Sequence, residues 1–368
     1  MPTKSPLWLA LVVLGLFVTA CRNFDDEVNS DNPFEEAEND PGSWSWIPVD
    51  GMDCRGFSGT GIGVRIQENT TKLLIYLEGG GACFNEFTCD NNPAAYGSNI
   101  FFGWTVAVGN SGIFSKVNSA NPVRNWNAVY IPYCSGDLHG GNNPEVSGSG
   151  SRNFVGFNNV ATALDLIAPY FSEVEEVLLT GSSAGGVGTF FNFPQVAEAF
   201  PGIPVHLIND SGPFLEADSA LAPCLQQVWR DSFQLVLPNN CSGCAQANGD
   251  GLENLYSHLS TAYPDSRFGL ICHLEDGVLR NFFGYGQEDC ANLGGGFPQL
   301  PEGILSIGLT SLRDNRLVPA GNWSTFYLEG TDHVTISNSK YYDSSAGGKA
   351  IAEWVDDLLG GVVQQLEE

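Results

Sequence analysis

The sequence predicts an α/β protein built on a mostly parallel central sheet with helices on both faces. Short apolar runs suited to buried strands alternate along the chain with helical patterns, and Gly-rich loops separate them. The runs are Lys72–Leu77 (KLLIYL), Ala128–Pro132, Glu176–Thr180, Val205–Asn209, Arg267–Cys272 and Thr325–Leu328. The helical patterns cover Asn158–Phe171, Gly185–Ala199, Leu221–Phe233, Ile304–Leu312 and Lys349–Gln365. Strands alternating with helices imply a parallel sheet covered on both sides, and function in such sheets sits at the carboxyl ends of the strands.

The 368 residues include 23 Phe, 11 Tyr and 8 Trp, enough apolar surface for a core and too much for a wholly disordered chain. Lys4, the apolar run Leu7–Val18 and Thr19-Ala20-Cys21 read as an export signal. The run is too short for a comfortable membrane span. Val18-Thr19-Ala20-Cys21 is similar to a bacterial lipobox, which makes Cys21 the expected acylation site and membrane anchor; an ordinary signal with an incidental cysteine is the alternative. Arg22 after the cysteine favours the outer membrane by the same similarity.

Residues 22–45 hold eight acidic residues against one Arg and little to bury, which reads as a solvated spacer. The expected organisation is a signal peptide over 1–20, an acidic tether over 21–45 and a single catalytic domain over 46–368. The net charge of −27 repels nucleic acid and anionic bilayers, so neither is an expected partner. It also argues against a densely anionic substrate.

The chemistry gathers around Gly181-Ser182-Ser183-Ala184-Gly185, which follows the strand EVLLT and opens a helix. That context is the one a nucleophile elbow requires, with Ser183 at the tip and Ser182 pointing elsewhere, and it makes the fold α/β-hydrolase-like. A plain glycine turn is the competing reading. Leu77-Glu78-Gly79-Gly80-Gly81-Ala82 ends an early strand, where glycines let backbone N–H groups approach a ligand. Gly81, Ala82 and Ala184 are therefore the candidate oxyanion donors. Of five histidines, only His333 follows the last strand, where this fold presents its base; the other four read as structural. Asp276 follows the strand RFGLIC and is the favoured acid; Asp314 lies nearer His333 in sequence, but inside a helical pattern beside Arg313 and Arg316.

Besides Cys21 there are nine cysteines, which in an exported protein read as disulfides with one thiol left over. Cys241-Ser-Gly-Cys244 could form half of a zinc site, but no second ligand pair stands at suitable spacing. Neither a metal nor a cofactor is expected.

Four ordered blocks resemble the pectin acetylesterase/Notum family: LEGGGACFNEFTC (Leu77–Cys89), IPYCSGDLHGG (Ile131–Gly141), LLTGSSAGGVG (Leu178–Gly188) and DSGPFL (Asp210–Leu215). They span most of the expected domain, roughly Gly51 to Val334. The resemblance implies Ser183, Asp276 and His333 as a catalytic triad with the oxyanion donors above, and the pairs Cys83–Cys89 and Cys54–Cys134. It also implies either a polysaccharide deacetylase or a deacylase of lipid-modified proteins. Relatives commonly carry Trp where this chain has Ala82, which changes the expected pocket wall. The first expectation is thus a monomeric carbohydrate O-acetylesterase acting on an acetylated polysaccharide or another ester. A lipase-like carboxylesterase and a non-catalytic surface binding lipoprotein are the alternatives.

Overall fold

The computed structural model describes residues 32–146, 152–216, 220–296 and 298–368. The expected signal peptide, Cys21 and the first part of the tether lie outside the described residues. Among the described residues nine strands form one sheet: β1 (Ser45–Asp53), β2 (Gly59–Arg65), β3 (Lys72–Leu77), β4 (Asn127–Ile131), β5 (Glu176–Ser182), β6 (Val205–Asp210), β7 (Phe268–His273), β8 (Trp323–Leu328) and β9 (Gln365–Glu367). Their order is β1-β2-β4-β3-β5-β6-β7-β8-β9. Every neighbouring pair from β4 to β9 is parallel, and β2 is antiparallel to both β1 and β4.

The apolar runs are continuous because both faces of the sheet are covered. In β3, Leu73, Ile75 and Leu77 join one core while Leu74 and Tyr76 join the other, as the two-residue period of a strand demands. The principal helices are α1 (Glu35–Asn39), α2 (Ser98–Ala107), α3 (Gly156–Tyr170), α4 (Ala184–Ala199), α5 (Pro223–Phe233), α6 (Gly277–Gly284), α7 (Ile304–Leu312) and α8 (Ile351–Leu359). α3, α4 and α7 supply the first core; α8 and Phe101 of α2 supply the second. Among the described residues four disulfides join Cys54–Cys134, Cys83–Cys89, Cys224–Cys290 and Cys241–Cys244, and Cys272 is left as a buried free thiol.

Three differences from the sequence reading have physical causes. The antiparallel strands β1 and β2 are absent from the predicted set because glycines interrupt the pattern of β2. The helix expected over Lys349–Gln365 ends at Leu359, where Gly360 and Gly361 (φ +92°) follow, and its last expected residue, Gln365, instead opens the edge strand that pairs with β8. Glycine terminates helices by taking this left-handed conformation without a Cβ penalty. Finally, the compact unit begins at Phe34 rather than after residue 45. Phe34 is 3% exposed, its ring stacks on Tyr170 at 3.8 Å, and Tyr170 donates its hydroxyl to Glu38 at 2.7 Å. The acidic composition of that stretch concealed one aromatic anchor.

Phe34→Ala should therefore lower the unfolding free energy by about 3 kcal/mol, the cost of emptying an aromatic site. Urea unfolding measures this; a change below about 0.5 kcal/mol, the range of surface substitutions, would separate the segment from the domain.

Candidate active site

The elbow is a strained turn between β5 and α4. Ser183 has φ 57° and ψ −120°, a conformation that residues with a Cβ seldom adopt. It is held by the Ser183 N–H donating to the Asp210 carbonyl at 2.7 Å and by the Val187 N–H donating back to the Ser183 carbonyl at 3.0 Å. The demand for glycine at Gly185 is steric, because a Cβ there would lie 2.0 Å from the Leu77 carbonyl oxygen. The end of β3 and the start of α4 are therefore pressed together, which brings the Glu78–Ala82 loop against the serine.

That loop is oriented from behind. Tyr133 donates its hydroxyl to the Gly81 carbonyl at 2.7 Å and accepts the Leu138 N–H at 2.8 Å. The Asn92 amide donates to the Gly80 carbonyl at 2.6 Å, and His139 Nε2 donates to the Glu78 carbonyl at 2.8 Å. Burial pushes the His139 imidazole down to about 4, against the upward pull of that carbonyl, so the ring is neutral at physiological pH. With the carbonyls engaged on one side, and Gly81 at φ +80°, the N–H groups of Gly81 and Ala82 have no acceptor among the described residues. Gly81, Ala82, Ser183 and Ala184 all line one recess, and Ala184 opens α4, whose first-turn N–H groups lack intrahelical partners.

The candidate acid and the candidate base come from two loops fastened to each other. Leu274, Glu275 and Gly277 donate their N–H groups to the carbonyls of Leu328, Gly330 and Thr331 at 2.8, 3.1 and 3.0 Å. Asp276, fully buried, caps α6 by accepting the Val278 and Leu279 N–H groups on Oδ1 at 2.9 and 3.0 Å. Its Oδ2 accepts His333 Nδ1–H at 2.7 Å. A proton on Nδ1 leaves Nε2 as the basic nitrogen, and Nε2 is buried with no hydrogen-bond partner among the described residues. Asp314, the other candidate acid, is exposed and bound by Arg313 at 2.7 Å, whose guanidinium pulls its carboxyl down.

One residue that the sequence reading gave no role ties these parts together. The buried carboxylate of Asp210, at the end of β6, accepts the Ser182 hydroxyl at 2.8 Å and the N–H groups of Thr335 and Ile336 at 2.9 and 3.0 Å. It thereby links the residue before Ser183 to the segment after His333. Its signal in the sequence was an aspartate ending an apolar run, inside a block quoted only for its resemblance. Tyr133 was likewise visible only as a member of its block, His139 carried only the reading of a structural histidine, and Asn92 lies outside all four blocks.

Ser183 stands between two spaces of different character. On one side is an apolar recess of ≈ 40 Å³ walled by Leu138, Val187, Trp229, Leu279, Phe282 and Phe283. On the other is an open cleft of ≈ 370 Å³ that reaches His333, Glu78, Trp104 and Val108. Ala82 lines the recess, but its small side chain does not leave the recess large: α6 fills in, and a Cβ on Gly81 would meet Phe282 Cζ at 3.0 Å. Burial pushes the Glu78 carboxyl up to about 7, against hydrogen bonds from Tyr130 and the Tyr133 N–H that pull it down. Among the described residues no cluster of His, Cys, Asp and Glu has the makings of a metal site.

A family model described as pectinacetylesterase matches residues 58–248, just over half of the chain. Among curated proteins, the palmitoleoyl-protein carboxylesterase NOTUM of Homo sapiens is 33% identical over 177 residues, covering 45% of this chain and 35% of its own. The NOTUM of Schmidtea mediterranea is 26% identical over 307 residues, covering 74% and 55%. Pectin acetylesterase 5 of Arabidopsis thaliana is 30% identical over 168 residues, covering 44% and 39%. The chain thus matches between about a third and just over half of the length of these relatives. Among solved structures, the Wnt deacylase Notum from Drosophila superposes with a TM-score of 0.67 at 20% identity, over 89% of this chain and 96% of that one. At that identity the likeness speaks to the fold, an α/β-hydrolase-type sheet with helices around it.

Asp276→Asn keeps an acceptor for the α6 cap but turns an N–H toward His333 Nδ1, forcing the imidazole into the tautomer whose Nε2 carries the proton. Esterase kcat should fall on the order of 10³–10⁴-fold, while Asp314→Asn should leave it within about twofold. Initial rates on a chromogenic acetate ester measure both; the reverse ranking would reassign the acid.

Proposed function

The chain belongs to the pectinacetylesterase family, and on that premise we propose that it is a serine carboxylesterase removing short acyl groups, acetyl foremost, from hydroxyls of a polysaccharide. The observation that carries this reading is the asymmetry around Ser183, a small apolar recess on one side and a wide open cleft on the other. The recess has room for about three water-sized groups, which suits an acetyl methyl; a long chain requires the aromatic wall to move. The open cleft suits a bulky alcohol.

In the proposed reaction Ser183 Oγ attacks the ester carbonyl while His333 Nε2 takes its proton and Asp276 stabilises the resulting imidazolium. The N–H groups of Gly81, Ala82 and Ala184 receive the oxyanion, each donor contributing on the order of 3 kcal/mol in such a site. The alcohol departs into the cleft with the proton from His333. Water entering by the same route then releases the acyl group, with His333 as base again. All of these steps draw on protein groups.

We further propose that the chain is exported and anchored through an acylated Cys21. Four disulfides support an oxidising compartment, and the lipobox-like sequence supports the anchor. Cys21→Ser should move the protein from the membrane fraction to the soluble one after export; unchanged fractionation would remove the anchor from the proposal.

The activity is tested with p-nitrophenyl acetate, butyrate, octanoate and palmitate. The rate should peak at acetate, and Ser183→Ala should lower it on the order of 10³-fold or more. A peak at long chains would replace the deacetylase with a lipase-type enzyme, and the absence of any Ser183-dependent rate would leave a binding protein.

A further inference from the structure

The open cleft has a chemical character of its own. Trp104 of α2 is half-buried and fixed in place by an aromatic cluster, its ring 3.9 Å from Tyr130, 5.2 Å from Phe114 and 5.2 Å from Trp44. The same helix leaves Ile100, Phe102 and Val106 exposed. From Asn91 to Ser115 the chain carries no charged residue at all, in a protein whose net charge is −27. This uncharged surface borders the cleft through Trp104 and Val108.

Opposite in character is Glu78, the one acidic residue lining the cleft. Its Oε2 accepts the Tyr133 N–H at 2.9 Å, and the Tyr130 hydroxyl bonds the same carboxyl. Tyr130 thus touches both residues, Trp104 with its ring and Glu78 with its hydroxyl. Among the described residues no Lys or Arg lines the cleft. Lys340, on the segment that follows His333, is already paired with Asp332.

Resting on the esterase reading above, we infer that this cleft is a subsite for an uncharged sugar, with Trp104 as its stacking platform and Glu78 as acceptor for its hydroxyls, and that it discriminates against uronates. A sugar ring presents C–H groups to an aromatic face and hydroxyls to an acceptor, and the cleft offers one of each. A uronate would bring a carboxylate into a site with no countercharge and with Glu78 beside it. Like-charge juxtaposition across a binding surface is a standard source of selectivity. The matched family is described as pectinacetylesterase, and pectin is a polymer of uronates; the cleft of this chain carries the same sign of charge as that polymer.

The test uses the full chain and three acetate esters at pH 8, where Glu78 is ionised: acetylated xylo-oligosaccharide, acetylated oligogalacturonide and ethyl acetate. Wild-type kcat/KM on the xylo-oligosaccharide should exceed that on the oligogalacturonide by about tenfold or more. Trp104→Ala should reduce the ratio of xylo-oligosaccharide to ethyl acetate activity by about tenfold, through KM, and Trp104→Phe should restore part of it. Glu78→Gln should narrow the gap between the neutral and anionic sugars. Equal or better activity on the oligogalacturonide, or a Trp104→Ala ratio equal to wild type, overturns the subsite. Ethyl acetate turnover without any preference for a sugar overturns the subsite alone; no Ser183-dependent turnover of any of the three overturns the esterase reading beneath it.

Discussion

A single buried carboxylate, that of Asp210, holds the two halves of the site in register. Ser183 rides on the turn after β5 and His333 on the loop after β8, and those strands are not neighbours in the sheet. β6 lies next to β5, and its last residue reaches both, accepting the Ser182 hydroxyl on one side and the Thr335 and Ile336 N–H groups on the other. A carboxylate can do this because it accepts several donors at once, and burial makes each bond costly to lose. Ser182, which a motif search treats as a spacer, is thereby a structural hydroxyl. Its hydroxyl is engaged with Asp210, while Ser183 lines both the recess and the cleft.

The second constraint is proximity. The Glu78–Ala82 loop lies against Ser183 because β3 and α4 approach to a separation that excludes any side chain at Gly185. The strain recorded at Ser183 is the counterpart of that approach, and the hydrogen bonds from Asp210 and Val187 offset it. Backbone strain of this order, about 1–3 kcal/mol, persists where surrounding structure over-determines it. Tyr133, Asn92 and His139 provide the same service to the glycine loop, fixing its carbonyls so that its N–H groups are ready before substrate arrives. Preorganisation of this kind is where an acyl-transfer site gains most of its advantage.

Much of this was legible in the sequence, for reasons that differ by residue. The strands that carry Ser183 and Asp276 are unbroken apolar runs because they lie in a sheet buried on both faces, so they announce themselves. Gly181-Ser182-Ser183-Ala184-Gly185 is readable because a tight strand-to-helix turn tolerates few residue types. The strands β1, β2 and β9 were not readable: Gly61 and Gly63 yield space to Ile47 and Phe101, and β9 follows a helix whose apolar pattern runs on past its glycine stop. Phe34 was hidden by its acidic neighbours. Asp210, Tyr133 and Asn92 act through bonds between segments distant in sequence, and no local pattern encodes such bonds.

The disulfide between Cys224 and Cys290 gives the acyl side of the site an additional property. Cys224 lies at the start of α5, which contributes Trp229, and Cys290 follows α6, which contributes Leu279, Phe282 and Phe283. The aromatic wall is therefore stapled covalently at one end, while Ser183 and His333 stand on segments that the staple does not cross. For the esterase proposed above, the staple ties acyl-chain selectivity to the redox environment, and Asp276, which caps α6, lies within the stapled span. An environment that keeps the staple closed preserves a narrow recess, and one that opens it leaves the recess to packing alone.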